Sequence, residues 1–287
     1  MNLLKLLKIN IRKEEIIIRF NKIDFKGLRN TRDLGQVSTV DGLKVKKGLL
    51  FRSGRIDKLS NKRIKEFLQM YNIKTIIDLR TQTEVRESKN FTYPEIVEYY
   101  HIPVLNKQFF GITHENNSMA KVVLSQKHKI TECGSGEEYM ISMYESIVFD
   151  KTSQSHFKTI FDILCKDTDG ALLFHCNGGK DRTGITTLFF YTLLGVSEED
   201  ILDEYAMSDV FNHKHNRSRE ILMKIFMPTS KRTKALLVSM LYAKRVYLEK
   251  TIAKIKEKHG SVLNFLFEEI KITKEMQEKL KQKYLES

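Results

Sequence analysis

The sequence predicts an α/β domain, a mostly parallel central sheet flanked by helices, with extra helices in the C-terminal third. Three observations predict it. Short apolar runs alternate with stretches of helical spacing, the pattern of a layered parallel sheet. The most apolar short run, Ala171 to His175, passes through a glycine-rich loop into the apolar stretch Ile185 to Leu194, a strand–loop–helix unit. No internal repeat or low-complexity linker divides the 287 residues, so 1–287 read as one domain.

Residues 1–25 read as an N-terminal extension. Its start, MNLLKLLKINIRKEE, has brief apolar pairs broken by lysines. That suits a short amphipathic helix, packed on its own domain or resting on a membrane surface, and lacks a secretory apolar core. Ile16 to Phe20 is a β-branched run, and Leu49 to Ser53 follows a Lys47-Gly48 turn and reads as a strand. Ser60 is placed to cap a helix over Asn61 to Tyr71, whose Ile64, Phe67 and Leu68 share a face. Thr75 to Leu79 is a buried strand ending at Arg80, and Val97 to Val104 is another. Residues 105–137 are polar and glycine-containing and read as a loop or insertion.

Two helices follow between Glu138 and Leu164, marked by Met140, Met143, Tyr144, Ile147 and then Phe157, Ile160, Phe161, Leu164. Asp169-Gly170 turns the chain into the Ala171 strand. Beyond Gly195, Ser197 caps a helix with Glu198, Glu199 and Asp200 in its first turn. His259-Gly260-Ser261 is a helix stop and restart, and the last helix runs from Thr273 to Leu285. Within 206–250, the apolar stretches Ile221 to Phe226 and Ala235 to Tyr247 fit either a helical lid or ordinary helix packing.

Composition narrows the function classes. Apolar residues at 41% and charged residues at 30% suit a soluble globular chain, and no apolar run nears the roughly 20 residues of a membrane span. Of the net charge of +13, Asn212 to Ser287 contributes +10, from 18 Lys or Arg against 8 Asp or Glu. Such an excess attracts phosphorylated ligands, an anionic membrane surface or nucleic acid, or simply solvates a helical surface. No nucleic-acid-binding module is recognisable, which disfavours that partner. Cys133, Cys165 and Cys176 are odd in number and widely spaced, which argues against a disulfide framework or a zinc site and for a reducing, cytoplasmic setting. Cys165 ends an amphipathic helix and reads as core. His213 and His215 have no carboxylate or cysteine beside them, so no metal or other cofactor is expected.

The stretch that carries chemistry is His175-Cys176-Asn177-Gly178-Gly179-Lys180-Asp181-Arg182-Thr183-Gly184. A loop between a strand end and a helix start aims backbone N–H groups at one spot and makes an anion site. Gly178 and Gly179 let that loop curl around a tetrahedral phosphate. Arg182 can close the ring with its planar fork. Cys176 lies at the base, where the helix start and Arg182 favour the thiolate that attacks phosphorus and forms a phosphocysteine. Thr183 is placed to donate a hydroxyl hydrogen bond to the sulfur, and His175 to orient the loop. A buried cysteine beside a glycine turn does not explain an arginine at this spacing.

The pattern Cys-x5-Arg-Thr-Gly preceded by His resembles the protein tyrosine phosphatase superfamily. The loop reads HCxxGKDRTG, and the chain also carries Asn30-Thr31-Arg32-Asp33-Leu34-Gly35, Leu50-Phe51-Arg52-Ser53-Gly54, Ile77-Asp78-Leu79-Arg80 and Glu204-Tyr205-x-x-Ser208. Together they are similar to the bacterial, atypical tyrosine and phosphoinositide phosphatases, from about Asn30 to Leu285 but not through Leu105 to Glu137. The resemblance implies a phosphatase fold and phosphate binding by His175, Asn177, Gly178, Gly179, Lys180, Thr183 and Gly184. Lys180 then adds a second cation to the cradle, suited to phosphoinositides as well as phosphotyrosine proteins. The chain has no tryptophan, hence no WPD-type acid loop; the resemblance implies Asp181 in the loop as the general acid, with Asp78 at a strand end or a carboxyl elsewhere as the alternatives, and Asp78 reads equally as a salt-bridge partner for Arg80 or a loop arginine. Arg32, Asp33 and Arg52 are candidates to buttress the loop. Two other readings compete: a phosphate-binding regulatory module, against which the intact Cys176 and Arg182 argue, and a sulfurtransferase, whose persulfide needs no arginine at that distance.

Overall fold

The computed structural model describes residues 20–88, 93–105, 134–226 and 230–287. The N-terminal helix, nearly all of the Ile16-to-Phe20 run, most of the 105–137 segment and Cys133 lie outside these residues.

Five strands make the central sheet: β1 (Arg32–Asp33), β3 (Leu50–Ser53), β4 (Ile73–Asp78), β5 (Glu98–His101) and β6 (Ala171–His175). Their order is β1-β3-β6-β4-β5. β3, β6, β4 and β5 run parallel, and β1 is antiparallel at the edge. The mostly parallel sheet is thus the expected one. In this register Ser53, His175, Asp78 and His101 line up at the carboxyl ends of neighbouring strands. Asp78 is thereby brought beside His175 although 97 positions separate them in sequence order, 175 − 78.

Side-chain alternation divides the core in two. Ala171 and Leu173 join Phe51, Ile73 and Ile76 beneath α1 (Asn61–Met70). Leu172 and Phe174 face the other way, into the larger core with Leu50 and Ile77. That core is covered by α3 (Gly136–Phe149), α4 (Lys151–Leu164) and α5 (Asp181–Leu194), with α8 (Arg245–His259), α9 (Val262–Glu268) and α10 (Lys274–Tyr284) outside them. The same parity places Cys176, next but one after Phe174, on the larger-core side, where it is buried.

Two further helices complete the C-terminal third: α6 (Glu198–Phe226) and α7 (Lys231–Ser239). A short α2 (Gln82–Arg86) follows β4. The last two residues before the terminal serine form β7 (Leu285–Glu286), antiparallel to β2 (Lys44–Val45). Gly195 and Gly260 end α5 and α8 at φ 83° and 74°, and Ser197 and Ser261 cap the helices that follow, accepting from the amides of Asp200 and Asn264. Ser60 occupies the N-cap position of α1, but its side chain makes no capping bond.

Candidate active site

The loop after β6 is shaped by what its carbonyls bind. The Asn177 carbonyl accepts from the Arg55 amide (2.9 Å), that of Gly178 from Asn30 Nδ2 (3.2 Å), and that of Gly179 from Asn30 Nδ2 (2.8 Å) and Arg52 Nη2 (2.7 Å). A peptide's N–H points opposite to its C=O. Anchoring these three carbonyls outward therefore turns the amides of residues 178, 179 and 180 toward the loop's centre, where the first amides of α5 also point. Gly179 is what lets the loop lie this close to its neighbours. Its φ is +64°, and a Cβ there would sit 2.5 Å from the Gly54 nitrogen. Gly184 serves helix packing, since a Cβ at this position would meet the Tyr205 ring at 2.9 Å where α5 crosses α6.

The sulfur of Cys176 accepts a hydrogen bond from Thr183 Oγ1 at 3.0 Å. Arg182 donates through Nη1 and Nη2 to the two carboxylate oxygens of Glu84, at 2.6 and 2.8 Å, and through Nη1 to the Leu79 carbonyl (3.3 Å). The terminal fork of the guanidinium is therefore clamped by protein, and the Nε edge of the plane lies on the side away from Glu84. Burial alone would lower the pKa of Arg182. The charge and hydrogen bonds of Glu84 more than offset this, so the cation is held well above its ordinary value. Glu84 also accepts from the Thr81 amide while Thr81 caps Glu84, a capping box at the start of α2 that fixes the carboxylate.

The two aspartates proposed from sequence have different surroundings. Asp78 accepts from the Arg80 amide, Arg80 Nε and Nη2, and the hydroxyls of Tyr93 and Tyr99, at 2.7 to 3.2 Å. Burial pushes its carboxyl up. His175, and then the hydrogen bonds and charge of Arg80, reverse that and hold it well below the usual carboxylate range. Asp57 is held down in the same way, against burial, by Arg55, Arg80 and Ser88. Asp181, the first residue of α5, accepts instead from the Tyr144 hydroxyl at 2.7 Å, with Lys180 Nζ at 3.4 Å. Tyr144 also shares a hydrogen bond with Tyr205 (2.6 Å). Burial and then the charge of Asp181 raise the Tyr144 phenol, so it keeps its proton.

His175 is buried, and burial pushes its imidazole below the ordinary value against the opposing pull of Asp78. Its Nδ1 donates to the Cys176 carbonyl (3.3 Å), and its Nε2 lies 2.8 Å from the Tyr93 hydroxyl. The histidine thus orients the loop between β6 and the Asp78 cluster.

Lys180, expected to add a cation to the cradle, has its ammonium on backbone carbonyls here. Its Nζ donates to the Met240 and Tyr242 carbonyls just past α7. The reason is electrostatic: a nearly buried ammonium is drawn to the unsatisfied carbonyls at a helix C-terminus. Of the expected buttresses, Arg52 holds the Gly179 carbonyl directly, and Arg32 holds Asn30 Oδ1 at 2.5 Å. Both arginines are buried and share Glu204, whose two oxygens accept from Arg32 Nε and Arg52 Nη1 at 2.6 Å each. Asp33 instead fastens the nearby turn, accepting from the Gly35 and Gly48 amides.

Sequence reasoning missed Glu84, Asn30 and Tyr144 as parts of the site. The Thr81-x-x-Glu84 capping box directly after Arg80 was a usable signal for the first. Asn30 heads the Asn30-Thr31-Arg32-Asp33 stretch that carries the resemblance, but its contact across 149 positions has no local mark, and nothing local marks Tyr144, which acts across 37.

Comparison with known proteins bears on this site. A family profile described as the tyrosine phosphatase family matches residues 23–286. A Cupriavidus necator protein classed as a tyrosine-protein phosphatase is 26% identical over 250 residues, 86% of this chain and 84% of that one. A Nostoc commune tyrosine-protein phosphatase is 30% identical over 145 residues, 50% of this chain and 43% of that one. Among solved structures, that of P. aeruginosa TpbA with phosphotyrosine is similar at 13% identity and a TM-score of 0.27, covering 74% of this chain and 88% of that one.

Proposed function

Since the chain belongs to the tyrosine phosphatase family and is a phosphoric monoester hydrolase, we propose that it cleaves phosphotyrosine protein or phosphoinositide monoesters, or both, through a phosphocysteine at Cys176. The observation that carries this is the Thr183 hydroxyl seated on the Cys176 sulfur, inside a loop whose Asn177, Gly178 and Gly179 carbonyls are tied to neighbouring elements. Sγ attacks phosphorus in line and the ester P–O bond breaks. The leaving oxygen takes the proton of Asp181. A water molecule then gives a proton back to Asp181 and attacks phosphorus, the S–P bond breaks, and inorganic phosphate leaves with the thiolate restored. Thr183 stabilises the sulfur anion each time it forms. The amides of the loop and the Nε edge of Arg182 balance the charge on the equatorial oxygens.

Asp181 suits the acid role by position, as the first residue of α5 within the phosphate loop, whereas Asp78 is paired with Arg80. In the phosphoinositide branch of the reading, Lys180 exchanges the Met240 and Tyr242 carbonyls for a second phosphate.

The test is hydrolysis of p-nitrophenyl phosphate without added metal. Cys176→Ser is expected to abolish turnover, and acid-quenched wild-type enzyme to carry phosphate on Cys176. Full activity in the serine variant refutes the cysteine mechanism. Comparing kcat/KM over phosphopeptides and phosphoinositides assigns the substrate class.

A further inference from the structure

Helix α6 changes character along its length. On its packed side sit Asn212, Asn216 and Met223, two of them polar and all buried. On the opposite side of its last turns, Ile221, Leu222, Ile225 and Phe226 are 46 to 72% exposed. A helix of a soluble domain buries its apolar stripe, and here the stripe faces out.

The same outer face is cationic one to two turns earlier, at the exposed Lys214 and Arg217. From Asn212 to Lys234 the sequence has seven Lys or Arg and a single acidic residue, Glu220. Glu220 is itself occupied, pairing with Lys224 Nζ and accepting from the Tyr242 hydroxyl, both at 2.5 Å. Exposed apolar side chains backed by an excess of cationic over acidic residues match the two requirements of an interfacial helix, a wedge for the acyl boundary and attraction to anionic headgroups. Among the described residues no helix is long and apolar enough to cross a membrane, so the fit is to lying on a bilayer, not spanning it.

We propose that the C-terminal turns of α6 dock on an anionic membrane surface. The docked tip is wired to the phosphate loop. Tyr242 bonds Glu220 through its hydroxyl and Lys180 through its carbonyl (3.4 Å), so the helix that meets lipid and the loop that binds phosphate share one residue. The surface does not depend on the catalytic reading, and its test separates the two.

The full chain is sedimented with phosphatidylcholine vesicles with and without phosphatidylserine. Binding is expected with the anionic vesicles alone and to weaken with salt. The double variant Ile225→Glu with Phe226→Glu is expected to lose about tenfold or more in partitioning, and Lys214→Glu with Arg217→Glu to lose several-fold. Turnover of soluble p-nitrophenyl phosphate stays unchanged in both, whatever the mechanism at Cys176. Equal binding to neutral vesicles, or none to either, overturns the proposal. So does a wild-type dimer in sedimentation velocity that the apolar variant dissociates, which assigns the face to a second copy. A fall in melting temperature in the Ile225→Glu, Phe226→Glu variant also overturns it, by assigning the face to another segment of this chain.

Discussion

Asp181 and Asp78 have the same side chain and end up with opposite electrostatic tasks. Arg80 encloses Asp78 with a bidentate fork and its own amide, and the carboxylate stays charged across the working pH range. Its protonated form is too rare to serve as an acid. Asp181 lies inside the phosphate loop at the start of α5, accepting from the Tyr144 hydroxyl with Lys180 Nζ at 3.4 Å. Asp181→Asn is expected to lower kcat on an aryl phosphate by about 10² to 10⁴ and to remove the alkaline limb of the kcat/KM profile. Asp78→Asn is expected to lower stability, by leaving Arg80 short of a buried partner, while both limbs of the profile remain. The reverse ranking of the two variants moves the acid to Asp78. Measuring both pH profiles alongside urea midpoints separates the cases.

The strand–loop–helix unit was the most legible part of the chain, and its residues explain why. Ala171 to His175 is buried on both faces, so five apolar or neutral residues in a row announce it without reference to any partner. The helix stop at Gly260 was equally plain, because a positive φ is a local requirement. The bridges β1, β2 and β7 were not foreseen. Each has two residues, and their pairing is decided by tertiary placement, not by propensity. Ser60 has the residue type of a cap, yet its side chain does not turn back on the helix. Lys180 reads as a cradle cation from its place in the loop, and the carbonyls it bonds here, 60 and 62 positions away, leave no local mark. Within the loop the sharpest constraint is Gly179, which combines a positive φ with backbone atoms inside 3 Å of any added Cβ. Gly179→Ala is expected to destabilise by at least about 1 to 2 kcal/mol, through the backbone conformation alone. It is also expected to cut kcat/KM by on the order of 10², because the loop must shift to clear Gly54. A variant with wild-type melting temperature and activity rules out this reading of the loop.

At the scale of the molecule, one buried carboxylate joins the N-terminal strands, the phosphate loop and α6. Glu204 neutralises half of the charge of Arg32 and Arg52, and the two guanidinium groups repel each other across it. Burial first, and the neighbouring Arg52 second, bring Arg32 down to about 10. Removing that anion leaves two buried cations facing each other, a loss of roughly 3 to 5 kcal/mol. Glu204→Ala is therefore expected to lower the urea midpoint sharply. It also frees Arg52 from the geometry that holds the Gly179 carbonyl, so kcat/KM falls even where the protein remains folded. Glu204→Gln is expected to recover packing but not activity. A Glu204→Ala protein as stable as wild type rules out the network as a structural keystone.

The antiparallel seam between β2 and β7 also dictates an order of events in time. The hydrogen bond from Gln36 to Glu286 spans 250 positions, and closing so long a loop forfeits chain entropy well before local contacts compensate. The seam accordingly seats last during refolding, once the layers on either side are in place, and it parts first when the native protein breathes. The amide hydrogen of Lys46, which donates to the Tyr284 carbonyl across the seam, will exchange by sub-global opening, while those of β6 wait for complete unfolding.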